Sequence, residues 1–387
     1  MKLEGVRVID LSAFLPGPLL TQMMADQGAE IIKIEPPGEG EPVRHVRYRQ
    51  GDTTVWFRNT HRAKRSVVLN LKDPAGVEAL MRLAEGADVM LEAFRPGVVD
   101  RLGVGPAQVR ARNPKLVYCS IAAFGQTGPM RDRPAHNPAI EAQAGTASLA
   151  QGQDGLPTMS HIPAADMAGS FVALAGILMA LYRRQTTGLG DTIDISMQDS
   201  IMAWLPNVIG SVFAENRAPI VKEERALGGA SFNNVYRCQD GLYIVLGGVE
   251  AKFAKNLLTA LGRPDLIPLA TGLPGPAQAP MTQFLREAFA TKPRAEWESF
   301  LGKLDVAWAP LLDLKQAFEH EQVKAREMLL IDDQGFQHVG TPIKFADEPG
   351  RIDFSVPKLG EHTDRVLAAA GYSAAEIAAL RAKGAVA

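Results

Sequence analysis

Short apolar runs closed by turns alternate with stretches of helical periodicity through the N-terminal half of the chain. Val6-Arg7-Val8-Ile9-Asp10-Leu11 has the density of a buried strand, and Ser12 to Pro18 is a turn that opens a helix through about Gln27. Gly28 stops that helix, and Glu30 to Glu35 is the next strand. Further strands are expected at 66–71, 89–93, 116–121 and 192–196, with helices at 74–86, 166–184 and 199–212. Strands alternating with helices predict βαβ units, hence an α/β fold with a Rossmann-like, mostly parallel sheet. Ligands on such sheets bind outside the carboxyl ends of the strands, which singles out the loops at 12–18, 35–48, 93–97 and 122–137.

The pattern changes after about residue 222, where two strands around Gln239-Asp240-Gly241 read as a hairpin, followed by helices near 252–262, 280–291 and 294–304. The expected organisation is a large domain over 1–222, a smaller α+β domain over 223–335, and a return to the large domain over 336–387. Among 387 residues, 46% are hydrophobic and 22% charged, the balance of a soluble globular protein, and the net charge of −2 argues against nucleic acid as a partner. Two cysteines are too few for a disulfide framework and have no metal-type spacing. Met167 to Tyr182, about 16 residues, is short for a membrane span, and charges sit where a signal peptide would be apolar. A cytoplasmic protein with no membrane partner is therefore expected.

A Gly-rich dinucleotide fingerprint, a P-loop, zinc-type spacing and a Gly-x-Ser-x-Gly elbow are all missing from the sequence. Arg62, Lys64, Arg65 and Lys72 flank a strand on the predicted binding edge, where they could hold phosphates or form an ordinary solvated surface. Arg95 and Arg101 could extend the same pocket. Asp166 stands at the entrance of a long apolar helix, where an aspartate acts as N-cap and can also stay ionised as a nucleophile or base. His136 lies on a loop after a strand, and Glu250 opens a helix whose dipole favours a first-turn glutamate.

In combination these segments resemble the class III CoA-transferase superfamily. The resemblance is carried by Leu3 to Leu11, Pro16-Gly17-Pro18, Gly28 to Gly38, Lys64-Arg65-Ser66 leading to Leu69-Asn70-Leu71-Lys72, Phe94-Arg95-Pro96-Gly97, Phe124-Gly125-Gln126-Thr127-Gly128-Pro129 and Asp166-Met167-Ala168-Gly169. It implies an acyl-CoA substrate, an interlocked homodimer, and no cofactor or metal beyond coenzyme A within the substrate. Leu71, Phe124 and Gly125 join the cations named above as implied CoA contacts. Asp166 falls on the aspartate that is a carboxylate nucleophile in transferases and an α-proton base in 2-methylacyl-CoA racemases. His136 matches the second racemase base, and Glu250 resembles the glutamate that orients it. Two departures stand out: Asn137 replaces an aspartate after the histidine, and Glu35-Pro36-Pro37 replaces a CoA-binding arginine. The sequence-based expectation is racemisation of a 2-methylacyl-CoA by His136 and Asp166, with CoA transfer through Asp166 as the alternative. A CoA-binding regulator on the same fold is a third.

Overall fold

The computed structural model describes residues 1–152 and 154–387. Six strands make one sheet: β1 (Arg7–Asp10), β2 (Glu30–Glu35), β3 (Arg65–Val68), β4 (Val89–Glu92), β5 (Val117–Ala122) and β6 (Thr192–Ser196). Their order is β3-β2-β1-β4-β5-β6, with every neighbouring pair parallel. Strand order reverses between β1 and β4, so the connections leaving those two strands diverge and open a crevice at their carboxyl ends. Val89 to Glu92 and Val117 to Ala122 are buried throughout, as strands covered on both faces must be.

The helices that cover the sheet include α1 (Pro16–Asp26), α2 (Val55–His61), α3 (Pro74–Glu85), α4 (Asn137–Gln143) and α5 (Ala164–Thr187). One core, with Leu20, Val89, Cys119, Ala168 and Ile177, lies under α1 and α5; the other, with Ile9, Leu80, Met90 and Tyr118, lies under α3. Two glycines permit the close approach of α1 and α5 to their neighbours. A Cβ at Gly17 would collide with the Ser12 side chain, and one at Gly169 would lie 2.8 Å from Met197 Cγ. Ser170 Oγ of α5 donates to Pro16 O at 2.7 Å, tying the starts of the two helices together.

Helix α5 runs longer than the 166–184 expected, because Ala164, Ala165 and Gln185 to Thr187 join it. At 24 residues it is long and apolar enough to cross a membrane by length and composition alone. Ala168, Ala173, Ile177 and Leu181 are buried, whereas Phe171, Leu178, Met179 and Tyr182 are exposed. The helix expected over 199–212 is instead two short ones, Met197–Met202 and Gly210–Glu215. Pro206 lies between them, and its missing N–H and fixed ring break the continuous helix that the apolar pattern suggests.

The chain divides into two compact units, Met1–Ala144 with His161–Met202 and Phe318–Ala387, and Gly145–Ser160 with Ala203–Ala317. The second unit thus begins earlier than residue 223 and takes in the segment before α5. It holds an antiparallel sheet of β7 (Asn233–Arg237), β8 (Tyr243–Gly247) and β9 (Trp308–Pro310), in the order β9-β8-β7. Helices α6 (Ala251–Ala260), α7 (Ala279–Phe289) and α8 (Arg294–Leu301) contribute to its core with Leu257, Leu285, Phe289 and Trp297. The last helix of the chain, α9 (Ala374–Ala382) in the first unit, starts with a capping box between Ser373 and Glu376.

Beneath the β1–α1 loop lies a buried ionic network. Asp10 is fully buried; its carboxylate accepts from Ser12 Oγ at 2.5 Å, Thr21 Oγ1 at 2.6 Å and Lys64 Nζ at 3.2 Å, with Lys33 Nζ 3.9 Å away. Burial pushes this carboxyl up, but Lys33, Lys64 and the two hydroxyls together hold it down at about 2. Lys64 also donates to Pro18 O at 2.9 Å and Thr21 Oγ1 at 2.7 Å, and its burial lowers the ammonium to about 8 against the pull of Asp10. Removing one partner of such a pair leaves a buried charge uncompensated. Lys64→Met is expected to cost about 3–5 kcal/mol, read as a lowered midpoint in chemical denaturation at pH 7; an unchanged midpoint would refute a structural role for this ion pair.

Candidate active site

Asp166 occupies the third residue of α5, not its cap. Pro163 precedes the helix and offers no capping side chain, so two residues of α4 supply the missing acceptors. Asn137 Oδ1 accepts from Ala165 N at 2.9 Å and Asp166 N at 3.4 Å. Glu141 Oε1 accepts from Ala164 N at 3.1 Å and from Asn137 Nδ2 at 2.7 Å. The helix entrance is therefore satisfied by residues of another helix, and the Asp166 carboxylate takes no part in the cap. Burial raises that carboxyl to about 6; His136 draws it down and Glu141 pushes it further up.

His136 is itself the N-cap residue of α4 through its backbone, with no side-chain cap bond. Its ring stays at the surface and meets Phe14 edge to face, the centroids 6.0 Å apart. Phe14, Phe94, Arg95, Arg133, His136 and Asp166 all line one cavity of about 560 Å³. A second cavity of about 620 Å³ has Leu11, Pro37, Leu71, Lys72 and Val98 in its walls and shares Ala13 and Phe94 with the first. The shared residues sit in the loops just after β1 and β4, so both spaces open at the point where strand order reverses. Each has the volume of a site for a small ligand.

The structure sorts the implied contacts into three groups. Leu71, Lys72 and Arg95 line these cavities, and Arg101 reaches the Phe94–Gly97 loop, its guanidinium 3.3 Å from where a Cβ on Gly97 would stand. Phe124 and Gly125 lie in the loop after β5, where Gln126 N donates to the Asp194 carboxylate, and neither lines these two cavities. Arg62 and Lys64 are buried in ion pairs, Arg62 with Asp26 at 2.8 Å, so both are committed inside the fold and not to phosphates. Arg65 is paired with Glu30 and faces a separate groove. The basic run thus mixes core and surface cations, because α2 ends within it and turns alternate residues inward. Glu250 belongs to the second unit, where it is the N-cap residue of α6 without a side-chain cap bond. Among the described residues, no group of three or more His, Cys, Asp or Glu could hold a metal ion.

Sequence reasoning passed over Phe14, Arg131, Arg133 and Glu141. Arg131 and Arg133 flank a solvated Asp132 and read as surface charge, yet both line the cavity that holds Asp166.

A doubly wound sheet with a half-buried carboxylate beside cationic cavities at its switch point is the arrangement of an α/β protein with a site suited to an anionic ligand. The chain belongs to CoA-transferase family III, whose sequence profile matches residues 3–363. It is 35% identical to an acetyl-CoA:oxalate CoA-transferase of Acetobacter aceti over 92% of this chain and 93% of that one. It is 31% identical to the α-methylacyl-CoA racemase of Homo sapiens, over 97% and 95% of the two chains. The crystal structure of a CAIB/BAIF family protein from Brucella suis superposes with a TM-score of 0.82 at 30% identity, covering 95% of this chain and 99% of that one. Known relatives thus divide between CoA transfer and racemisation.

An aspartate with a raised pKa pays for its ionisation in folding stability. Its folded value near 6 exceeds the ordinary 3.8, so the folded state binds the proton more tightly and loses stability as pH rises from about 4 to 6. Asp166→Asn is accordingly expected to stabilise the protein by about 1–3 kcal/mol at pH 8 and to give no gain at pH 3.5. Thermal unfolding of both proteins at the two pH values checks this, and a destabilised variant at pH 8 would contradict it.

Proposed function

We propose that the protein is a CoA-transferase in which Asp166 is the nucleophile. The observation that carries this reading is a carboxylate left uncommitted at a helix start, since Asn137 and Glu141 do the capping, in a cavity that also holds Arg95, Arg131 and Arg133. A carboxylate raised to about 6 is more basic than an ordinary one and still ionised at neutral pH. In the proposed sequence an Asp166 oxygen attacks the thioester carbonyl carbon; the C–S bond breaks and CoA leaves as thiolate, giving a mixed anhydride. The thiolate then attacks the Asp166 carbonyl carbon and releases the first acid as its carboxylate, leaving CoA as a thioester on Asp166. An acceptor carboxylate repeats these steps in reverse, so no net proton or electron is consumed. The first N–H groups of α5 are taken by Asn137 and Glu141, so the helix would favour the tetrahedral oxyanions through its positive end and not by direct donation.

Leu71, Lys72, Arg95 and Arg101 are the proposed CoA contacts, and the arginines beside Asp166 the proposed seat of the incoming carboxylate. His136 would line the acyl end. Asn137 bears on this choice, because its side chain is given to the α5 cap and it stands where the racemase pattern has an aspartate after the histidine. A homodimer acting in the cytoplasm, away from membranes and without any cofactor besides CoA, completes the proposal.

A second reading, α-proton transfer in a 2-methylacyl-CoA, is favoured by one fact: His136 and Asp166 line the same cavity. The Glu250 role in orienting His136 belongs to that reading. Deuterium uptake decides between the two. With 2-methylacyl-CoA in deuterated water and no acceptor acid, transfer chemistry leaves the α-carbon unlabelled, whereas racemisation labels it with loss of optical purity. With a labelled acid present, CoA exchange into that acid should fall by about 10⁴-fold or more in Asp166→Asn. In the wild type the exchange rate should decline below about pH 6 as Asp166 takes up its proton. Exchange that survives in Asp166→Asn excludes the nucleophile.

A further inference from the structure

Phe14 is a bulky residue in the left-handed backbone region, with φ at 64°, a conformation that an L-residue with a Cβ adopts at a cost. Such an outlier persists only where surrounding interactions over-determine it, and they cluster at functional sites. Here the determinants are on view. Phe14 N donates to Glu41 Oε1 at 2.8 Å. The other oxygen of Glu41 lies 3.3 Å from Lys33 Nζ, and Lys33 also donates to Ser12 O, two residues before Phe14. Ser12 N and Oγ are held in turn by Asp10 at 2.9 and 2.5 Å. Glu41 N donates to Glu35 Oε2 at 2.9 Å, so the carboxylate that grips Phe14 is anchored from behind. Glu41 is 2% exposed, whereas Phe14, the residue it holds, is 44% exposed and projects into the cavity of Asp166 with its ring edge to face with His136.

We infer that Glu41 is a positioning residue that fixes Phe14 in the left-handed conformation, and that the Phe14 ring so placed limits the length of acyl group accepted beside His136 and Asp166. The inference rests on the acyl-CoA reading above and adds a determinant of acyl size. A carboxylate suits the task because one oxygen can take the backbone N–H while the other stays with Lys33. An aromatic ring suits it as a rigid wall with few rotamers. With the ring removed, the space beside His136 opens to longer chains.

The experiment is calorimetric binding of acetyl-CoA and hexanoyl-CoA to the full chain, which requires no turnover. Phe14→Ala is expected to shift the affinity ratio toward hexanoyl-CoA by about tenfold or more, the low end of the discrimination that a single methylene provides. Glu41→Ala should produce the same shift although Phe14 is present. Glu41→Gln should restore the wild-type ratio, because its amide oxygen can still accept from Phe14 N. A merely structural Glu41 would weaken both esters alike and leave the ratio where it was. Phe14→Ala alters a half-exposed side chain and remains decisive should Glu41→Ala not fold. An unchanged ratio in Phe14→Ala, with both esters bound, overturns this inference alone. Failure of the wild type to bind either ester overturns the acyl-CoA reading along with it.

Discussion

The charge on Asp10 sets the shape of the sheet edge that carries the two cavities. A carboxylate at the end of the central strand is fully buried, and Lys33, Lys64, Ser12 and Thr21 keep it ionised. Those partners come from β2, from the residue before β3, from the β1–α1 loop and from α1. One charge thus fixes how two neighbouring strands, a loop and a helix meet at the switch point. Its neutral alternative would leave two ammonium groups buried with one fewer counter-charge, an expensive state in a poorly polarisable interior. The loop that walls both cavities is consequently built on electrostatics, while the sheet beneath it rests on ordinary apolar packing.

Around Asp166 the logic is reversed. There the fold spends other residues so that one carboxylate stays unspent: Asn137 and Glu141 take the N–H groups that an N-terminal aspartate would ordinarily take. Burial then raises the proton affinity of Asp166 without a cation in direct contact to cancel it. Two aspartates in one unit, Asp10 and Asp166, are driven in opposite directions by the number of donors each is given. On the proposed function, that contrast separates a structural carboxylate from a chemical one.

Much of this was legible in the residue pattern. The six parallel strands follow from apolar runs closed by turns, and the loops after the first and fourth strands were identified as the binding edge because parallel sheets present ligands there. Asp166, His136, Arg95 and Lys72 stand out in the sequence as candidate site residues, and all four line the paired cavities. Burial of individual cations was not legible. Nothing local distinguishes Lys64 from Lys72; the difference arises because Lys64 directly precedes the edge strand β3 and faces Asp10, 54 positions earlier. Nor could local sequence show that Asn137, apparently a defect next to His136, caps a helix beginning 27 residues later, since that contact exists only after α4 and α5 meet. Pro206 was visible, but the apolar periodicity around it outweighed its ring in the helix prediction.

The cap shared by α4 and α5 bears on how this framework can diverge. Position 136 offers its side chain to the cavity and only its backbone to α4, so it can be exchanged freely without disturbing either helix. Positions 137 and 141 join the two helices and hold the start of α5 in place, so a change there moves residue 166 as well. Selection can therefore test new side chains opposite the aspartate at little cost, while the pair that seats it is free to vary only together. Two reaction types on one scaffold are what such a division between a replaceable wall and a fixed mount would allow to evolve.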